Sequence, residues 1–147
     1  MISNMIIRKM TVDDVEIVKA MGDSAPELSV TEGNSSFWSI KRLTQWVRYD
    51  SDVLLVAEHD KEVVGFLLTQ IHSPSSTAYL SDIAVAEDAR GEGVGSALIE
   101  YALEQLKLLD ITYIYGLTQE HNIAIHSLLS KQQFERGEKM IWFDKRL

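Results

Sequence analysis

The chain has 147 residues, 46% of them hydrophobic and 24% charged, proportions typical of a soluble globular protein of one domain. Its formal net charge of −8 argues against a nucleic-acid partner, because nonspecific binding needs a basic face to replace the phosphate counterions. The absence of cysteine excludes a disulfide scaffold, thiolate metal sites and a cysteine acyl-enzyme.

Two further classes of protein are not expected. No apolar run reaches the about eighteen residues needed to span a membrane, and the N-terminus lacks a signal-peptide core. We therefore expect a cytoplasmic protein with no membrane partner. The four histidines show no metal-ligand spacing, so no metal site is expected either.

The first third of the chain predicts a strand and two amphipathic helices. The strand covers residues 5–10, and Thr11 is a suitable N-cap for a helix that ends near Gly22. The stretch from there to about Phe37 has no periodicity and is rich in turn-forming residues, which is typical of a functional or mobile loop. A second helix is predicted over residues 39–48.

The middle of the chain predicts three strands joined by short turns, over residues 53–57, 63–69 and 78–85. Short connections between successive strands favour antiparallel pairing. A strand–loop–helix–strand crossover follows, which requires a parallel pair, so the predicted sheet is mixed.

A glycine-rich loop follows the third of these strands. Its glycines, Gly91, Gly93 and Gly95, leave the backbone free to adopt positive φ and to bring its N–H groups close to a ligand. A helix begins directly after the loop and adds its unpaired N-terminal N–H groups and the positive end of its dipole. The loop therefore predicts a site for a diphosphate, with Arg90 at its mouth.

Two other phosphate-binding loops fit this segment poorly. A dinucleotide fingerprint requires a third glycine where this chain has Ser96, and a P-loop requires a lysine that is absent here.

The remaining chain predicts a helix to about Leu109, a strand at residues 112–115 and a helix at 122–132. It closes with a hairpin of residues 134–136 and 139–143.

The pattern R-x-x-G-x-G, beginning at Arg90, resembles the acyl-CoA pyrophosphate loop of the Gcn5-related N-acetyltransferase (GNAT) superfamily. The predicted order of elements is similar to that of the family from end to end. The resemblance implies a single N-acetyltransferase domain over residues 1–147 with a mixed α+β fold. We expect a mostly antiparallel, twisted sheet of six to seven strands, about four flanking helices, and a splayed strand pair that forms the acyl-CoA wedge.

The resemblance also implies which residues bind acetyl-CoA. The pantetheine arm pairs with the backbone of the crossover strand, and the diphosphate rests on the N–H groups of the loop. Asn122 is a further candidate, although it is also a good helix N-cap. The implied residues are Ile83, Ala84, Val85, Arg90, Gly91, Glu92, Gly93, Val94, Gly95, Ser96 and Asn122. The side chain of Glu92 is expected to point outward, because a carboxylate repels a diphosphate.

The acid–base groups are less well defined. Members of the family with a glutamate at the position of Ser81 use it as the base, and Asp82 is the nearest carboxylate, although strand alternation places it on the face opposite Ser81. His121, at a strand–helix junction, is a third candidate catalytic residue. The tyrosine that many members use as general acid falls on Leu129, so that role is vacant, filled elsewhere or unnecessary.

The resulting hypothesis is an enzyme that transfers an acetyl group from acetyl-CoA directly to a primary amine. The acceptor is a protein or peptide N-terminus or a small amine, and the protein is a monomer or a homodimer. The alternative is a CoA-binding regulatory or sensor domain of the same fold without transferase activity.

Overall fold

In the computed structural model, which describes residues 4–25, 28, 37–145 and 147, five strands form one sheet whose spatial order is their order in the chain. The first four strands pair antiparallel, and the last pair is parallel. The strands are β1 (Met5–Lys9), β2 (Leu54–His59), β3 (Glu62–His72), β4 (Thr77–Val85) and β5 (Tyr113–Gly116). The sheet is therefore mixed, as expected.

Four α-helices lie within the same residues: α1 (Val15–Asp23), α2 (Ile40–Tyr49), α3 (Val94–Leu108) and α4 (Ile123–Lys131). The side chain of Ser39 caps α2 by accepting a hydrogen bond from the N–H of Arg42 at 3.2 Å. The described part of the chain contains no helix long and apolar enough to cross a membrane.

The helices cover the sheet on both faces. One face packs against α3 through a core that includes Leu55, Leu67 and Leu98. The opposite face packs against α1 and α2 through a second core that includes Val18, Leu43 and Phe66. Successive side chains of β2 and β3 thus pack in opposite cores, because the side chains of a strand alternate between the two faces of the sheet.

A β-bulge interrupts the pairing of β3 with β4. Leu68 lies opposite Asp82 and Thr69 opposite Leu80, so Ser81 is an extra residue without a partner on β3. The bulge overturns the expectation that Ser81 and Asp82 lie on opposite faces, since the hydroxyl of Ser81 donates a hydrogen bond to the carboxylate of Asp82 at 2.7 Å. Strict alternation fails here because one residue has been inserted into the ladder.

The pairing of β4 with β5 ends halfway along β4. It runs from Thr77 opposite Tyr113 to Leu80 opposite Gly116, and the second half of β4, residues 81–85, has no strand on that side. The two strands therefore diverge toward the glycine-rich loop, which confirms the predicted splayed pair.

The C-terminal segment differs from what its sequence predicts. The predicted hairpin of residues 134–136 and 139–143 is wrong, because this segment forms no strands and residues 135–145 are all exposed without a partner strand. The sheet accordingly has five strands in the described residues rather than six or seven. The predicted loop between the first two helices lies mostly outside the described residues, which omit 26–27 and 29–36.

Candidate active site

The glycine-rich loop has the backbone conformation that its sequence predicts. Gly91 and Gly93 have φ of 78° and 84°, values that residues with a Cβ rarely adopt. A Cβ at either position would meet no atom within 4 Å, so both glycines border open space. Helix α3 starts immediately afterwards at Val94, with no side chain capping it, and its first N–H groups face the same region.

Gly95 serves a different purpose from the other two glycines of the loop. It lies inside α3, and a Cβ there would come within 2.9 Å of the side chain of Leu128 on α4. Glycine at this position therefore allows α3 and α4 to approach closely. Gly95 thus positions α4, and Gly91 and Gly93 shape the loop.

A cavity of about 520 Å³ runs from this loop, through the gap between β4 and β5, to Ser81 and Asp82. Its size falls within the range typical of small-molecule sites. Most of the residues that the sequence implicates line it: Ser81, Asp82, Ile83, Ala84, Val85, Arg90, Gly91, Gly93, Val94, Gly95, Ser96 and Asn122. Glu92 and His121 do not line it, and both are exposed.

The charges along the cavity are separated. Among the described residues that line it, the basic side chains are Arg90 and Lys131 and the acidic one is Asp82. The Nε of Arg90 donates a hydrogen bond to the carbonyl of Val85 at 3.2 Å, which holds this side chain where β4 meets the loop. One end of the cavity thus suits an anion, and the other end carries a carboxylate.

Asp82 is buried, with 9% of its surface exposed, and it accepts two hydrogen bonds. The indole Nε1 of Trp38 donates at 2.8 Å and the hydroxyl of Ser81 at 2.7 Å. Burial raises the pKa of Asp82, and the two hydrogen bonds offset part of that rise by stabilising the carboxylate. Gln70 extends the network by donating to the hydroxyl of Ser81 at 3.4 Å.

Three tyrosines lie next to this network on β4 and β5, and we call them the tyrosine row. The ring centroids of Tyr79 and Tyr115 are 5.3 Å apart, and those of Tyr115 and Tyr113 are 6.0 Å apart. Burial raises the pKa of Tyr79, and the negative charge of Asp82 raises it further. Tyr113 and Tyr115 are 62% and 44% exposed, so the row is open to a ligand.

Helix α4 and its N-cap Asn122 contribute both polar and apolar side chains to the cavity. The side chain of Asn122 caps the helix by accepting a hydrogen bond from the N–H of Ile125 at 3.2 Å. Leu129 lines the cavity and has no proton to donate. The ring of His126 lies 2.9 Å from the hydroxyl of Thr118, which ties the helix to the segment that follows β5.

Sequence reasoning missed two parts of this site. The bond between Trp38 and Asp82 joins residues 44 positions apart, and no local pattern indicates it. Gln70 lies on β3 and reaches Ser81 only because these two strands pair. The sequence feature that could have indicated the role of Trp38 is the pair of adjacent aromatic residues Phe37 and Trp38. Two large rings before a helix suggest either a wall of the acceptor site or an anchor that holds the preceding loop against the protein.

The sequence is similar to those of known acetyltransferases. The profile described as the Acetyltransferase (GNAT) family matches residues 19–134. The chain is 31% identical over 123 residues to an L-2,4-diaminobutyric acid acetyltransferase of Shouchella clausii, covering 83% of this chain and 66% of the relative. The chain thus spans slightly less than two thirds of that relative's length.

Solved structures show the same fold. A ribosomal-protein-alanine N-acetyltransferase from Brucella melitensis matches with a TM-score of 0.76 and 25% identity, covering 88% of this chain and 84% of the other. AAC(6')-Iy in complex with the bisubstrate analogue CoA-S-monomethyl-acetylneamine matches with a TM-score of 0.77 and 19% identity, covering 99% of this chain and 100% of the other. These matches show the fold that the sequence predicts. The chain belongs to the GNAT acetyltransferase family.

Proposed function

We propose that the protein is a cytoplasmic enzyme that transfers an acetyl group from acetyl-CoA directly to a primary amine. The observation that carries this proposal is a continuous cavity that joins the glycine-rich loop to a buried carboxylate through the gap between β4 and β5. A cosubstrate with a diphosphate at one end and a reactive acyl group at the other suits such a cavity.

The loop end binds the diphosphate in this proposal. The N–H groups of residues 91–96 supply the hydrogen bonds, Arg90 and Lys131 supply positive charge, and the hydroxyl of Ser96 is a further donor. Glu92 takes part through its backbone alone, which agrees with the exposed position of its side chain. The proposal requires no metal.

The pantetheine arm lies along the second half of β4. Residues 81–85 have no partner strand on the side of β5, so the backbone groups that face that side can pair with an amide-containing ligand. The carbonyl of Val85 already accepts one hydrogen bond from Arg90. Ile83 and Val85 bind it through their main chain, because the backbone of Ala84 faces its partner Phe66 on β3. The side chains of Ile83 and Val85 pack in the core next to α3. Asn122 holds the start of α4 in place beside the arm.

Asp82 acts as the general base. An alkylammonium acceptor must lose a proton before its nitrogen can attack the acetyl carbonyl, and a carboxylate whose pKa is raised by burial is better matched to that task than an exposed one. The hydroxyl of Ser81 bonds to Asp82 and relays or orients the proton. The new N–C bond forms as the C–S bond breaks, and the departing thiolate takes up a proton from solvent.

In this proposal neither the oxyanion nor the departing thiolate requires a catalytic side chain. A backbone N–H near Val85 stabilises the negative charge that develops on the carbonyl oxygen. A thiol has a pKa of about 8.5 and leaves without an acid catalyst, so leucine at position 129 is compatible with turnover. His121 is exposed and does not line the cavity, and we assign it no step.

The acceptor approaches from the side of the tyrosine row. The row begins beside Asp82, is open to solvent and offers aromatic surface to the part of the acceptor that follows the reactive amine. The relatives support an amine acceptor in general. One is named as an acetyltransferase of a diamino acid, and another as an N-acetyltransferase of an alanine in a ribosomal protein.

The decisive experiment measures the release of free thiol from acetyl-CoA with a panel of peptide N-termini, lysine peptides, polyamines and aminoglycosides. The protein has no cysteine, so it contributes no background thiol. Saturable release with one class of amine is expected. Tight binding of CoA with no release across the panel would contradict the proposal and would favour a CoA-binding regulatory or sensor domain.

A further inference from the structure

A threonine and a histidine meet at the wall of the cavity, apart from the groups assigned a step above. The ring Nε2 of His126, on α4, lies 2.9 Å from the hydroxyl oxygen of Thr118 and 3.1 Å from the carbonyl oxygen of Gln119. A carbonyl oxygen can only accept a hydrogen bond. Both contacts are therefore satisfied together when Nε2 carries the hydrogen and donates it to the two oxygens.

This arrangement leaves the proton of the Thr118 hydroxyl available to a ligand. A hydroxyl has one hydrogen and two lone pairs, and the ring of His126 occupies one lone pair. Within the part of the chain that the structure describes, the hydroxyl makes no other hydrogen bond. Because Thr118 lines the cavity, its hydroxyl can donate into the space that we assign to acetyl-CoA.

The register of the sheet places Thr118 level with Asp82. The parallel strands β4 and β5 advance one residue for one residue, and their last pair is Leu80 opposite Gly116. Two residues further along each strand direction come Asp82 and Thr118, where the two chains have separated. These two residues therefore border the gap at the same height.

The two groups also lie toward different faces of the sheet. The carboxylate of Asp82 accepts a hydrogen bond from Trp38, which packs in the core on the side of α1 and α2. Thr118 contacts His126 on α4, and Leu128 of the same helix packs in the core on the side of α3. A base and a hydroxyl donor thus approach one point of the cavity from opposite faces.

We propose that the hydroxyl of Thr118 donates a hydrogen bond to the sulfur of the departing thiolate, and that His126 positions this hydroxyl. This role rests on the proposed function. As the amine nitrogen bonds to the acetyl carbon, the C–S bond breaks and its electron pair stays on sulfur. The hydroxyl keeps its own proton and stabilises the negative charge through the hydrogen bond. Solvent then protonates the thiolate.

The chemistry of the pair fits a hydrogen bond better than a proton transfer. A hydroxyl is a much weaker acid than a thiol, whose pKa is about 8.5, so Thr118 does not protonate the thiolate. Donation by Nε2 of His126 to the hydroxyl oxygen polarises the O–H bond and strengthens its own donation. Leu129, one helical turn after His126, lines the same cavity and offers no donor, so Thr118 supplies a contact that Leu129 does not.

The first test measures the ionisation of the thiol of CoA bound to the full chain, by the ultraviolet absorbance of the thiolate. The protein has no cysteine, and the same protein with desulfo-CoA is the blank. A hydrogen bond to the charged form lowers a pKa. The pKa of the bound thiol should therefore be about one unit higher in Thr118→Val than in the parent protein, and unchanged in Thr118→Ser.

Thr112→Val is the matched control for this measurement. Thr112 is an exposed threonine just before β5, and its hydroxyl donates to the carbonyl of Ser76 outside the cavity. We expect it to leave the pKa of the bound thiol as in the parent protein. Equal values of this pKa in the parent protein and in Thr118→Val would overturn the proposal.

The second test asks whether His126 acts through Thr118. His126→Phe removes the donor to the hydroxyl and should raise the pKa of the bound thiol by less than Thr118→Val does. The double variant Thr118→Val, His126→Phe should give the value of Thr118→Val alone, because the hydroxyl that the ring positions is already gone. A further rise in the double variant would mean that the ring acts on the sulfur itself, which contradicts a positioning role.

Turnover connects the hydrogen bond to the reaction. With an accepted amine, kcat should be about tenfold lower in Thr118→Val and the KM for acetyl-CoA unchanged. A variant with a raised thiol pKa and the parent kcat would overturn the catalytic role. If the parent protein transfers acetyl groups and the thiol pKa does not depend on Thr118, this proposal alone fails. If the parent protein binds CoA and transfers no acetyl group to any amine, the proposed function fails.

Discussion

The two ends of the cavity are built in different ways. The loop end consists of backbone from one continuous segment, residues 90–96, whose shape depends on the positive φ of Gly91 and Gly93. The Asp82 end consists of side chains brought together from three places, Trp38 before α2, Gln70 on β3, and Ser81 and Asp82 on β4. The first end is encoded locally, and the second exists only in the folded chain.

This difference predicts that the two ends respond separately to substitution. Changes in the loop should weaken the binding of CoA and leave the chemical step intact. Changes around Asp82 should reduce turnover or shift its pH dependence and leave CoA binding unchanged. Variants that disturb both properties at once would mean that the ends are coupled.

The largest effect is expected for Asp82→Asn. Loss of a general base lowers kcat by about 10²–10⁴, and the dissociation constant of CoA, measured by calorimetry, should not change. If Asp82 is the base, it must be ionised for the reaction, so kcat should rise as the pH increases through the raised pKa of Asp82, and the variant should lack this rise. Asp88→Asn, at an exposed position outside the cavity, is the control, and an unaltered pH profile in Asp82→Asn would exclude Asp82 as the base.

A smaller effect is expected for Gly93→Val. A β-branched residue is strained at φ of 84°, so the loop must change shape and its N–H groups lose their alignment. We expect CoA to bind about tenfold more weakly, while kcat at saturating acetyl-CoA is preserved. Gly137→Val tests the specificity of this change, because Gly137 does not have a positive φ and a Cβ there meets nothing within 4 Å. Equal effects of the two substitutions would argue against the loop as the binding element.

The smallest effect is expected for Trp38→Phe. The substitution removes one of the two hydrogen bonds that stabilise the carboxylate of Asp82, so the pKa of Asp82 rises further. The rise of kcat should therefore move to higher pH, with the plateau and CoA affinity retained. Trp46→Phe is a close control, since the neighbouring indole of Trp46 donates to Asp52 instead. A shift to lower pH would show that Trp38 does not act through Asp82.

The sequence predicts the loop end well and the Asp82 end poorly for a physical reason. Glycine spacing and a following helix are local properties, and the order of strands follows from short connections, so the loop and the mixed sheet were predictable. The splayed pair was implied only by the resemblance to the family. The bulge at Ser81 depends on how β3 and β4 align, which no single strand reveals. The predicted C-terminal hairpin failed because apolar residues at 139–143 indicate a strand without indicating its partner.

The bulge at Ser81 leaves one residue of the sheet without a partner, which makes the sheet locally less stable. Removing that one residue would join the pairs Leu68–Asp82 and Thr69–Leu80 into a regular ladder with both side chains still on their present faces. Such a shortened chain should be harder to unfold, because a regular ladder has no residue without a partner. It would lack the hydroxyl that contacts Asp82. At this position the protein therefore keeps a locally weaker sheet together with a hydroxyl that contacts the proposed base, so that durability and the proposed activity are balanced at a single residue.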